Sequence, residues 1–332
     1  MDLGVYSVLF ANLPLKEVLE YLSDRDIHKI EIGCGGYSGV AHANPDILLN
    51  DQKALTEFKA LIQDYAMEIS ALNCSGNPVH PQKKAAKAFH QAFEKGVLLA
   101  EKLGVETVIT FSGCPGGSPQ AKFPNWVTCF WPPEIWHTIL DYQWNQVLIP
   151  YWEETIRFAE SHHVKVALEP IAGFCVYNPE TFWRLHDAVG SDNLGVNLDL
   201  SHLFWQGADP QAVIRELHHA IFHFHAKDTR MDAINMAKNG VLDYKHFKEG
   251  KNRSWNHHTV GYGHDALAWK DIIRNLRLVG YDGVISIEHE DPLASRDEGL
   301  QHAIDFLKTI LLTEDPPELW WIEDKNITTN IK

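Results

Sequence analysis

Two hydrophobic periods take turns along the chain. Short runs rich in Val, Ile and Leu predict β-strands at 2–9, 28–33, 68–74, 105–112, 164–169, 194–199, 221–226 and 283–288. Between them, apolar residues recur every three or four positions and predict amphipathic helices near 15–25, 51–66, 83–103, 146–162, 179–190, 209–219, 265–279 and 296–312. Asn50-Asp51, Asn178-Pro179 and Ala208-Asp209-Pro210 offer Asx or proline starts for three of these helices. Eight strands alternating with eight helices predict an α/β fold, a single-domain (β/α)₈ TIM barrel over residues 1–312. Residues 313–332 form a polar C-terminal extension, whose Trp320 and Trp321 are expected to dock into a groove of this barrel or of a neighbour.

Two connections are too long for ordinary βα loops, 113–144 after strand four and 227–264 after strand seven. Both follow strands, so both belong on the face of the barrel that carries its chemistry. The first holds Phe123, Trp126, Phe130, Trp131, Trp136, Tyr142 and Trp144. Such rings either stack on the C–H faces of a sugar and exclude water, or pack the loop against itself or another subunit.

Composition narrows the class. The 332 residues are 45% hydrophobic, enough for a full core, and the net charge is −15, with 44 acidic against 29 basic residues. Such a surface repels phosphate backbones and anionic membranes, so neither nucleic acid nor a membrane is an expected partner. Five cysteines without a CxxC pair fit reduced thiols, and Cys34, Cys74 and Cys114 at strand ends read as small buried fillers. The first strand begins almost at Met1, and no apolar run approaches the ~20 residues of a membrane span, so a cytoplasmic protein is expected.

Candidate chemistry gathers at four strand ends. Glu169, Asp199, His225 and Glu288 close the runs VKVALEP, LGVNLDL, IFHFHAK and GVISIEHE. Any one of them could cap a helix or pair with a lysine. Four metal-compatible residues at four consecutive strand ends of one barrel point instead to a common centre. Three oxygen donors and one nitrogen suit Mn²⁺ first, with Mg²⁺, Co²⁺ or Zn²⁺ as alternatives. With a divalent ion and neutral His225 the centre carries about −1, which favours a neutral chelating ligand such as the vicinal hydroxyl and carbonyl oxygens of a sugar. The expected chemistry is proton abstraction next to a carbonyl through a metal-stabilised enediolate, with Glu169 and Glu288 as base and acid. His202, three residues after Asp199, is a third catalytic candidate, able to bind a substrate oxygen or orient a ligand. Candidate substrate contacts are Glu31, Asn73, His80, Trp131, His137, Lys227 and His264. Lys227 and Asp228 could also orient His225 or close the lid.

The segments LEP, NLDLSH, HFHAKD, VGYGHD and SIEHED resemble those of the xylose-isomerase-like sugar (phosphate) isomerase/epimerase superfamily, across essentially the whole chain. That resemblance implies a metal held by Glu169, Asp199, His225 and Glu288. In the ketose 3-epimerase branch the two glutamates also exchange the proton, and the histidine after the aspartate matches His202. That branch has an arginine shortly after its histidine ligand; the nearest here is Arg230. The inserts SGCPGGSP, NWVTCFWPP and WNQVLIPYW are similar to the barrel subunits of bacterial C-glycoside deglycosidases. This second resemblance implies an alternative, a lyase that expels the aglycone of a 3-oxo-glycoside, with His137 as an extra base and a small β-rich partner subunit. A homo-oligomer is the other assembly expected.

Overall fold

The predicted strands close on themselves into a ring. The computed structural model describes residues 1–315, so most of the C-terminal extension, with Trp320 and Trp321, lies outside the described residues. Ten strands occur among the described residues: β1 (Asp2–Tyr6), β2 (Lys29–Gly33), β3 (Glu68–Asn73), β4 (Thr107–Thr110), β5 (Lys165–Leu168), β6 (Leu194–Asp199), β7 (Ile221–Ala226), β8 (Asp228–Met231), β9 (Trp255–His258) and β10 (Val284–Ile287). Eight of them form a closed barrel in the ring order β1-β10-β7-β6-β5-β4-β3-β2, and each neighbouring pair is parallel. The fold is the (β/α)₈ TIM barrel.

Alternation along the strands decides what the ring encloses. Val166 and Leu168 belong to the main core, which lies between barrel and helices. Ala167 instead joins Ala71 and Ile109 in a small separate cluster capped by Phe222. Side chains two apart in a strand share a face. Glu169, two beyond Ala167, therefore also points into the bore. The pairs Asn197/Asp199, His223/His225 and Ser286/Glu288 repeat that spacing at the ends of β6, β7 and β10.

The helices begin where short polar side chains can hold free backbone N–H groups. Asp51 accepts from Lys53 and Ala54, Asn178 forms a reciprocal capping box with Thr181, and Asp209 accepts from Ala212. β6 and β7 keep the predicted bounds, and the other six barrel strands are shorter than predicted, because chain beyond each ladder turns away; Ser7–Phe10, for example, leaves β1 as a 3₁₀ turn.

The two insertions differ from the plain loops expected of them. The first ends in wide helical turns, Ile135–Ile139 and Tyr142–Leu148, that run directly into the helix Ile149–Ser161. The second carries the antiparallel hairpin β8–β9 and the helix Ala233–Asn239. The strands DTRM and WNHH are too short and too polar for an apolar period to mark them. Asp228 ties this insertion to the barrel: its carboxylate accepts from the backbone N–H of Gly261, Gly263 and His264 and from Trp269 Nε1, at 3.0–3.2 Å. Only glycine fits at 263, where a Cβ would collide with that carboxylate.

Candidate metal centre

Glu169 follows β5, Asp199 ends β6, His225 lies in β7 and Glu288 follows β10, so four neighbouring positions of the ring each deliver one side chain. Each offers a donor atom, and all four atoms lie within 4.8 Å of one another. Asp199 and His225 are buried; Glu169 is 4% exposed.

Local hydrogen bonds fix which atom of each residue faces the centre. Ser201 N–H donates to Asp199 Oδ1 at 2.8 Å, leaving Oδ2 directed inward. Glu31 Oε2 lies 2.7 Å from His225 Nε2. A histidine that donates one ring N–H to a carboxylate presents the other nitrogen as a lone pair. His225 Nδ1 is then the nitrogen that faces the other donors, 3.0 Å from Glu288 Oε2 and 3.6 Å from Glu169 Oε2. Tyr6 stacks on the imidazole at 5.6 Å and holds its plane.

Two buried carboxylate oxygens, Asp199 Oδ2 and Glu288 Oε2, accept no hydrogen bond. Lys227 Nζ approaches them at 3.1 and 3.0 Å outside hydrogen-bonding geometry, and its hydrogen bond goes to Glu290 Oε2 at 3.1 Å. Lys227 balances part of their charge, but buried polar atoms normally also have hydrogen-bond partners, and these two oxygens retain the capacity to bind a further cation. This donor set fits a divalent ion.

Electrostatics follow the same geometry. Burial alone would raise the Asp199 carboxyl, but Lys227, His202 and His225 outweigh it and hold it below the usual carboxylate range. Burial pushes Glu288 up, against the pull of Lys227. Burial would make His225 easier to deprotonate, yet the carboxylates of Glu31 and Glu288 raise it well above its ordinary value.

The remaining candidates separate. His202 joins the centre: Nε2 lies 3.1 Å from Glu169 Oε1 and 3.2 Å from Asp199 Oδ2. Lys227 sits among Asp199, Glu288 and Glu290, 2% exposed. Glu31, expected to touch substrate, is instead fully buried. His225 and Ser286 engage one oxygen and Asn73 Nδ2 the other, at 2.9 Å. Its carboxyl is driven down to about 2, because the charge and hydrogen bond of His225 overcome burial. Asn73, expected as a second contact, is likewise engaged; its Oδ1 accepts from Ser38 and Ser75. The expectation for both rested on polar strand ends, which also form the support beneath a site. His80 accepts from Gln82 N–H beside the start of the helix Lys83–Leu103. His264 pairs with Asp228 at 2.7 Å and stacks on Phe204, as part of the hairpin's anchor. Trp131 and His137 are exposed in the first insertion, Trp131 at 65%. Arg230 is exposed and donates to Tyr262 O.

Four residues with polar roles were missed. Asn197 donates to Glu169 Oε2 at 3.0 Å, and His223 hydrogen-bonds Asn197 at 3.0 Å. Glu290 holds Lys227. Each lies two residues from one of the four converging residues, so the spacing of two could have found them. His257, 4% exposed on β9, lies edge-on to His202 at 5.9 Å and had no signal, because its strand had none.

Comparison with known proteins agrees with this fold. The family described as xylose isomerase-like TIM barrel matches residues 31–310. The uncharacterized protein YfiH of Bacillus subtilis strain 168 is 40% identical, over 93% of this chain and 98% of its own. Among solved structures, a D-tagatose 3-epimerase-like protein superposes with a TM-score of 0.64 at 21% identity, covering 93% of this chain and 98% of that one. The IOLI protein with a binding zinc atom also gives 0.64, at 20% identity, over 94% and 98% of the two chains. At such identities these two establish the fold. The family match covers most of the sequence and contains all four converging residues, so the chain belongs to the xylose isomerase-like TIM barrel family.

Proposed function

We propose that the chain is a divalent-metal-dependent sugar isomerase or epimerase that moves a proton on carbon next to a carbonyl. Glu169, Asp199, His225 and Glu288 hold the ion, Mn²⁺ by preference. The observation that carries this reading is the pair of orphaned buried oxygens, Asp199 Oδ2 and Glu288 Oε2, facing the Nδ1 side of His225. The zinc named for the IOLI structure and the epimerase named for another neighbour are in keeping with it. When bound, the ion supplies Lewis-acid polarisation of a sugar carbonyl and lowers the cost of removing the adjacent proton.

The chain's own residues would move that proton. Glu169 receives Asn197 Nδ2 on one oxygen and meets His202 Nε2 with the other, contacts that fix its orientation and suit it as the base. Glu288 stands three places away around the eight-strand ring and meets the opposite side of a chelated sugar as the acid. His202, shared between Glu169 and Asp199, orients both and can reach a substrate hydroxyl. Lys227 is already paired with carboxylates, so it offers no free charge to a phosphate, and a neutral sugar is the expected substrate.

The test is isotope exchange. Mn²⁺-loaded protein incubated in D₂O with neutral ketoses should return sugar carrying solvent deuterium. Glu169→Gln and Glu288→Gln should keep part of their metal while exchange falls by roughly 10²–10⁴. Full exchange in both variants would remove the glutamates from the proton path. Aglycone released from 3-oxo-glycosides without deuterium in any ketose would replace isomerisation by elimination.

A further inference from the structure

The five cysteines stand in three different settings. Cys129 is exposed on the first insertion. Cys34 and Cys74 are buried against the helix Lys83–Leu103. A methyl carbon added at Gly96 of that helix would lie 3.2 Å from Cys74 Sγ and 3.3 Å from Cys34 Sγ, so that side leaves no room for a visitor. Cys114, in the loop after β4, and Cys175, in the loop after β5, are different. Both line a cavity of about 180 Å³ under the first insertion. They are only 1% and 6% exposed, which makes the cavity their access. Cys175 N–H donates to Gly113 O at 3.0 Å and sets the two loops side by side. The Cys175 thiol donates to Cys114 Sγ, whose own hydrogen faces Pro115 O at 3.6 Å.

We infer that Cys114 and Cys175 form an oxidisable dithiol, a modification site that takes a small hydroperoxide and closes into a disulfide. Size is the first argument, since this cavity falls below the roughly 300–1,000 Å³ of sites for drug-sized ligands and admits only a small molecule. Arg184 and Glu180 both reach its lining, so size rather than charge selects the visitor. Reactivity is the second. The hydrogen bond from Cys175 draws the Cys114 thiol below its ordinary range, against burial. That same bond, with burial, pushes the Cys175 thiol well up. Cys114 is therefore the attacking sulfur and Cys175 the resolving one. The Cys114 thiolate attacks the O–O bond and becomes a sulfenic acid, and the alcohol leaves with the thiol's proton (water, where the oxidant is hydrogen peroxide). Cys175 sulfur then attacks Cys114 sulfur, and the sulfenic hydroxyl leaves as water with the Cys175 proton. Two electrons pass from the sulfur pair to the peroxide. Pro115 O, next to Cys114, accepts from Asn125 N–H at 2.9 Å and from Gln143 Nε2 at 3.1 Å. The new bond thus fastens both limbs of the first insertion to the loop that follows Glu169.

Thiol mapping of the full chain tests this. The reduced protein, stripped of metal with EDTA, is exposed to hydrogen peroxide, quenched with catalase, alkylated in denaturant and digested without reduction. A peptide linking Cys114 to Cys175 should appear, with two thiols lost and both recovered by dithiothreitol. These two should react at least about tenfold faster than Cys34 and Cys74, which serve as the buried control. Cys129→Ser should leave the reaction unchanged. Cys175→Ser should stop at a sulfenic acid on Cys114, captured by dimedone. Oxidation of Cys114 and Cys175 no faster than that of Cys34 and Cys74 overturns the site, as does thiol loss confined to Cys129. A linked peptide that joins Cys129 to either residue in place of the expected one also overturns it. Dimedone capture on Cys175 of Cys114→Ser at the parent's rate overturns the order of attack. Should either serine variant fail to fold, the linked peptide and the relative rates in the parent protein decide the matter.

Discussion

The two halves of the barrel use the same residue types for opposite purposes. On β5, β6, β7 and β10, Glu169, Asp199, His225 and Glu288 turn donor atoms toward one point, and two of those atoms have no hydrogen bond. On β1, β2 and β3, Tyr6, Glu31 and Asn73 are buried at similar depth, yet Glu31 and Asn73 have both ends engaged. Burial and charge do not distinguish Glu31 from Asp199; unmet hydrogen-bonding capacity does. A buried polar group with its partners supplied is support, and one without them awaits a ligand.

The sharpest way to break that contrast is Asp199→Ala. Removing a ligand should reduce affinity for Mn²⁺ by more than the roughly 10–100-fold expected for an outer partner, and exchange activity should vanish with the metal. Metal-dependent protection against thermal unfolding is the readout. A variant protected by Mn²⁺ as well as the parent protein would empty the centre of its meaning.

Glu31→Gln comes next. The amide oxygen introduced there can still accept a hydrogen bond from His225, but it carries no charge to hold the ring. Affinity for Mn²⁺ should therefore fall by about 10–100-fold with the fold intact. The magnitude also separates two groupings, because Glu31, His223 and His225 could themselves gather around an ion. A loss as large as that of Asp199→Ala would make Glu31 a ligand and erase the distinction between the halves. No loss would make it a bystander.

This contrast also explains what was legible in the sequence. The ring, its eight helices and the four converging residues were readable, because period-two strands ending in carboxylate or imidazole constrain both topology and side-chain direction. The role of Glu31 was not. IEIG shows a carboxylate at a strand end, and only the structure shows His225, Ser286 and Asn73 closing on it. The hairpin β8–β9 escaped for a different reason, since its ladder is stabilised by Asp228 and by packing rather than by an apolar alternation. The aromatic insertion left two readings open, and its rings divide: Phe123, Phe130, Trp131 and Trp136 are exposed, Trp144 is core beneath Arg184, and Trp126 meets Tyr177 edge-on. Aromatic content marked that insertion but could not say which rings face inward.

The smallest expected effect compares two buried histidines whose neighbours have opposite sign. His225, beside Glu31 and Glu288, is held well above its ordinary value. His257 is pushed down to about 3, first by burial and then by the nearby Lys227. In the unfolded chain His257 titrates near 6.5, so between roughly pH 6.5 and pH 3 the unfolded state binds a proton that the folded state refuses. Stability is therefore lost as pH falls through that window, by up to about 1.4 kcal/mol per pH unit from this one group. His257→Gln can still hydrogen-bond Thr229 and has nothing to titrate. Urea unfolding of the metal-free protein at about pH 7.5, 6, 5 and 4.5 should show the parent losing stability relative to the variant at each step below about pH 6. Above that pH the difference between the two should stay constant. Curves that run parallel down to about pH 4.5 would mean that His257 protonates in place. Lys227 would then not impose on it the field that sets it apart from His225.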